Sequence, residues 1–182
     1  ADLKGRTFHM VVRSIIHWRK TFASSVTLAR QAFRYAQESG RIDMAGYSLL
    51  DLIRVLSAQG EALEDILDEV DIARDFAART RNTYVYDDCT VFRHLILTLQ
   101  GRTPEMTTFT DPRINSAQFL RGRQDRSAPI ARETASLLPV TRLQACYLYE
   151  RYPEAFEMAT QVEQVQSPRG SLLKVEENFY GS

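Results

Sequence analysis

The stretch from Arg41 to Thr80 restricts the fold of this chain more than any other, because it reads as two antiparallel helices joined at Gly60. Ile42, Ala45, Leu49, Leu52, Ile53 and Leu56 recur at spacings of three and four, which aligns them on one helical face. Gly60 stops that helix. From Glu61 the rhythm resumes with Leu63, Ile66, Leu67, Val70, Ala73 and Ala77, while Glu61, Glu64, Asp65, Asp68, Glu69 and Asp71 take the water side. Acids gather at the start of this second helix and Arg74, Arg79 and Arg81 at its end, the order the helix dipole favours. Neither helix can hide its apolar stripe alone, so the pair must stack on others.

The flanking sequence supplies those others. Phe8, Val11, Val12, Ile15, Ile16 and Trp18 predict a helix over 8–18, and Val26, Leu28, Ala29, Ala32, Phe33 and Ala36 a second one ending at Gly40. A fifth runs from Tyr84 to Leu99, closed by Gly101 and Pro104. Residues 102–129 form the irregular part of the chain, with Pro104, Pro112 and Pro129 among many Thr, Asp and Ser and a short helix expected over 114–120. Ala131 to Tyr152 predicts a long, mostly buried helix that Pro139 should kink, or whose true start it marks. Pro153 then occupies the expected first helical position of the next segment, which Ser167 to Gly170 ends. A final helix, Leu172 to Tyr180, lacks the partner of another hairpin, which implies a chain excised from a longer protein.

Composition excludes several classes. A hydrophobic content of 44% supports a packed core, and 23 basic residues against 23 acidic ones leave no overall field to draw in nucleic acid or an anionic membrane. No apolar run reaches the roughly 18 residues of a membrane span, and the first residues lack a signal peptide's apolar segment, so a cytoplasmic protein is expected. Cys89 and Cys146 are far apart and belong to no Cys-x-x-Cys pair, which predicts reduced core thiols. Lysine occurs only at 4, 20 and 174, so nearly all the positive charge is arginine, suited to forked ion pairs between helices.

Helix boundaries recur near Gly40, Arg81, Arg123 and Pro168, roughly every 40 residues, the period of an α-solenoid. The segment Tyr152 to Ala159 resembles the second helix of a tetratricopeptide repeat. More extensively, Glu38 to Tyr47, Gly60 to Glu64, Leu148 to Ala155 and Glu176 to Ser182 resemble the helical-repeat region of large bacterial signalling proteins. Those proteins join a Ser/Thr-kinase-like domain, an AAA-type ATPase, these repeats, a GAF domain and a histidine kinase. The resemblance spans about Phe8 to Ser182 and implies an all-α, tetratricopeptide-like right-handed superhelix with no catalytic residue to carry over. One helical-repeat domain over 1–182 is expected, of roughly four hairpins and a truncated last helix.

Chemical motifs are sparse. His9 and His17 are eight apart and cannot share a helical turn as metal ligands, and Gly101 to Pro104 lacks the lysine of a phosphate loop. No cofactor, metal or catalytic residue is expected. The adjacent carboxylates Asp87 and Asp88, and Glu176 and Glu177, are expected to face water. Arg121, Arg123 and Arg126 form a cluster that an acidic partner could dock on, set against a solvated turn neutralised by Asp125. Tyr147 and Tyr149, with Tyr152 and Phe156, are candidates for a partner-binding groove, set against burial between stacked hairpins. The function expected is therefore a non-catalytic protein-interaction or interdomain scaffold in a signal-transduction protein, with neighbouring domains of the same polypeptide as partners. The alternative is a sensor holding a small molecule between helices near residues 102–129.

Overall fold

The computed structural model describes residues 2–14, 21–103, 129–165 and 171–182, which form eight α-helices and no strand. In chain order these are α1 (Asp2–Ser14), α2 (Phe22–Glu38), α3 (Ile42–Gln59), α4 (Leu63–Thr80), α5 (Thr83–Leu99), α6 (Pro129–Leu148), α7 (Tyr152–Val165) and α8 (Leu172–Tyr180). The all-α expectation holds. Helix α1 begins earlier than its apolar pattern suggests, at Asp2, and the predicted continuation past Ser14 lies outside the described residues. Pro139 sits inside α6, and Pro153 is the second rather than the first residue of α7. Helix α6 also stops short of Tyr152, because Glu150 turns into the left-handed region at φ 57°.

That left-handed residue belongs to a series. Gly40, Gly60, Arg81, Gly101 and Glu150 all have positive φ, and each follows a helix end. In every case the next residue's N–H reaches five residues back: Arg41 to Ala36 O, Glu61 to Leu56 O, Asn82 to Ala77 O, Arg102 to Leu97 O and Arg151 to Cys146 O, at 2.8–3.2 Å. The left-handed residue itself donates three back, as Gly60 does to Ser57 O. This double bond is the Schellman motif, which satisfies the last carbonyls of a helix and turns the chain sharply. Helices α2 to α5 end at intervals of 20, 21 and 20 residues, counted between Gly40, Gly60, Arg81 and Gly101.

The chain divides into two compact units, Ala1–Arg93 and His94–Ser182. In the first, α3 is the central element. It packs on α1, α2 and α4, and it approaches α5 so closely that a Cβ at Gly46 would come within 2.9 Å of Val85 Cγ2. The buried set includes Ala29, Ala32 and Ala36 on α2, Leu49 to Leu56 on α3, and Ile66, Val70 and Ala73 on α4. Burial on this scale is the main stabilising force, at about 25 cal/mol per Å² of apolar surface removed from water. Ile42 is a correction to the sequence reading: placed on the apolar stripe, it is exposed at the first residue of α3. Side chains link alternate helices as well as successive ones. Arg30 meets Glu69 at 2.5 Å and Phe33 meets Phe76 edge-on at 5.6 Å, both between α2 and α4. Arg93 Nε donates to Asp71 Oδ1 at 2.9 Å between α5 and α4. Arginine supplies the cation in both ion pairs, as the scarcity of lysine predicts, each through a single N–H contact.

In the second unit α6, α7 and α8 pack on one another around Leu137, Leu138, Val140, Leu143, Met158 and Leu173. The last turns of α5 belong here too: Tyr149 Oη donates to Thr98 O at 2.6 Å. Ser171 caps α8, its hydroxyl accepting from Lys174 N at 3.2 Å.

Candidate functional site

The aromatic residues of α6, α7 and α8 gather on the surface of the second unit. Tyr147 packs at 6.2 Å from Tyr152, 6.4 Å from Phe179 and 5.4 Å from Tyr180, and Phe179 lies edge-on to Tyr180 at 5.0 Å. Helical spacing explains the assembly: Tyr152 and Phe156 are one turn apart on α7, as are Val175 and Phe179 on α8. Burial between hairpins, the competing expectation for these rings, is wrong for three of them. Tyr147 is 40% exposed, Tyr152 58% and Phe156 76%, and Phe179 joins them at 65%. Tyr149, the other candidate, points elsewhere and spends its hydroxyl on Thr98 O. Contiguous exposed aromatic surface is costly in water and marks sites where another molecule docks.

Beside this face runs a groove of ≈ 230 Å³ between α6, α7 and α8. Leu143, Ala159 and Val162 supply apolar lining, and Glu163, Lys174 and Glu177 the charge. Lys174 Nζ donates to Glu177 Oε1. Glu177 Oε2 is buried with no hydrogen-bond partner among the described residues. An unsatisfied buried oxygen of this kind costs about 1–3 kcal/mol, more when charged.

A second polar constellation lies inside the first unit. His9 Nδ1 stands 2.7 Å from Asp51 Oδ2, a close polar contact without hydrogen-bond alignment. Arg54 lies 4.0 Å from Asp51 and 3.7 Å from Asp88, distances of ion pairs rather than hydrogen bonds, and its guanidinium sits 5.9 Å from the Phe92 ring centroid. Arg13 completes the seam: burial lowers its pKa, the carboxylates of Asp51 and Asp88 oppose that shift, and Arg54 adds to it. His9 and Arg13 are one turn apart on α1, Asp51 and Arg54 on α3, and Asp88 and Phe92 on α5, so three helices bring charge to one line. The expectation that Asp88 and Glu177 face water fails. Asp88 is 2% exposed and Glu177 7%, each turned inward by its place on the apolar side of its helix.

Sequence reasoning missed this seam, although α3 carried the signal. Leu49 to Leu56 is apolar all around the helix, so Asp51 and Arg54 within it had no water side to occupy. Among the described residues no group of three or more His, Cys, Asp or Glu could hold a metal ion. Cys89 and Cys146 are buried free thiols whose pKa burial raises, which disfavours the thiolate. Arg121, Arg123 and Arg126, and the sensor site near 102–129, fall outside the described residues except for 102, 103 and 129. No helix among the described residues is long and apolar enough to cross a membrane. The chain matches no family model, no curated protein and no solved structure.

Proposed function

We propose that this chain is a non-catalytic interaction module, a tetratricopeptide-like α-solenoid that docks neighbouring domains within a multidomain bacterial signalling protein. The observation that carries this reading is the exposed aromatic face of Tyr147, Tyr152, Phe156 and Phe179. Aromatic side chains of this kind dominate binding energy where partners meet. The repeated Schellman turns at intervals of 20, 21 and 20 residues support a two-helix repeat. Pairing of α2 with α4, through Arg30 and Glu69, supports stacking of successive hairpins. The segments that carry the face are acidic: residues 136–165 and 171–182 hold six carboxylates, at 150, 154, 157, 163, 176 and 177, against three basic groups at 142, 151 and 174. The docking partner is accordingly basic and apolar along the surface it presents.

Isothermal titration with the flanking domains of the parent polypeptide tests this. Association is expected below about 100 μM, weakened at least about tenfold by joint Phe156→Ala and Phe179→Ala. The melting temperature should change little, because both rings are mostly exposed and Phe179 meets the neighbouring rings of the same surface cluster. No association at that concentration, or association indifferent to both substitutions, would sink the reading.

A further inference from the structure

We infer that the groove between α6, α7 and α8 receives an arginine side chain of the segment that docks on the adjoining aromatic face, with Glu177 as its carboxylate partner. The inference rests on the docking reading and deepens it. Size comes first: ≈ 230 Å³ is below the roughly 300–1,000 Å³ of small-molecule sites, so the groove suits one side chain rather than a cofactor. Its chemistry selects a cation. Leu143, Ala159 and Val162 would cover an aliphatic stem, and Glu163 and Glu177 outnumber Lys174. Glu177 is buried yet only half used. Lys174 occupies Oε1, while Oε2 has no donor among the described residues. The terminal torsion of a glutamate is soft, so a small rotation turns Oε2 toward the groove without moving the helix.

Guanidinium fits better than ammonium here. It is planar, donates through several N–H groups at once and stacks on aromatic rings. The rings are adjacent: Leu143, in the groove, and Tyr147, in the aromatic cluster, are one turn apart on α6, and Gln144 Nε2 donates to Tyr180 Oη at 3.3 Å between them. A segment whose apolar side chains lie on Phe179 therefore has an arginine within reach of Glu177.

The test is amide NMR of the 182-residue chain titrated with an acetylated, amidated leucine-arginine-leucine peptide, its citrulline isostere and its lysine counterpart. The arginine peptide should shift the Glu177 and Gly181 amides saturably and bind at least about tenfold tighter than the uncharged isostere. Glu177→Gln, which keeps an acceptor for Lys174, should make those two peptides equal. Equal binding of arginine and citrulline peptides to the unaltered chain, equal binding of the lysine peptide, or no shift up to about 10 mM overturns the assignment. If the flanking domains still associate through Phe156 and Phe179 in that event, only the guanidinium site falls. A Glu177-dependent arginine response without domain association would instead retain the site and remove the scaffold.

Discussion

Single side chains here are used for their charge more than for their reactivity. Asp51 is the clearest case, since it answers His9 on one side and Arg54 on the other while being 4% exposed. Its removal takes a carboxylate away from the buried guanidinium of Arg54, and breaking such a pair costs about 3–5 kcal/mol. Urea unfolding of Asp51→Leu should show a loss of that order, and adding Arg54→Met should recover part of it, because an apolar pair need not be compensated. Equal stability of the single variant and the parent chain would mean that the seam carries no such energy. Hydroxyls are equally self-contained. Ser48 donates to Met44 O at 2.9 Å and Thr141 to Leu137 O at 3.0 Å, so both are buried with their one proton already committed to the helix.

At the scale of elements, the turns set the period. Gly60 bears no contact within 4 Å of where a Cβ would stand, so Gly60→Ala tests backbone strain alone and should cost about 1 kcal/mol. Arg81, at φ 55°, is the same turn built from the wrong residue. Relief of about 1–2 kcal/mol of left-handed strain, less about 0.4–1 for a more flexible unfolded chain, predicts that Arg81→Gly stabilises by up to about 1.6 kcal/mol. Paired thermal melts with opposite shifts for the two variants would bear this out. The helices themselves were readable: α3 lies where its apolar spacing and Gly60 put it, and α8 over the predicted 172–180. The end of α6 was not, because nothing in Glu150 favours positive φ and the turn is imposed by packing and by the Arg151 to Cys146 bond.

For the whole molecule, the sequence disclosed helix content and the turns at Gly40, Gly60 and Gly101 but little about which faces stay wet. Tyr147, Tyr152 and Phe156 have the spacing of core residues, and only their neighbours in space, Phe179 and Tyr180 from α8, reveal an outer cluster. Glu177 was unreadable for the converse reason, as one of two adjacent acids whose inward turn depends on the rotation of α8. The scarcity of lysine has a practical result. Side-chain amines reactive toward acylating reagents exist only at 4, 20 and 174, and Lys4 is exposed on α1 while Lys174 leans over the groove beside Glu177. Mass-spectrometric footprinting with an acetylating reagent thus carries its own internal standard: an occupied groove should slow modification at 174 and leave the rate at 4 as it was.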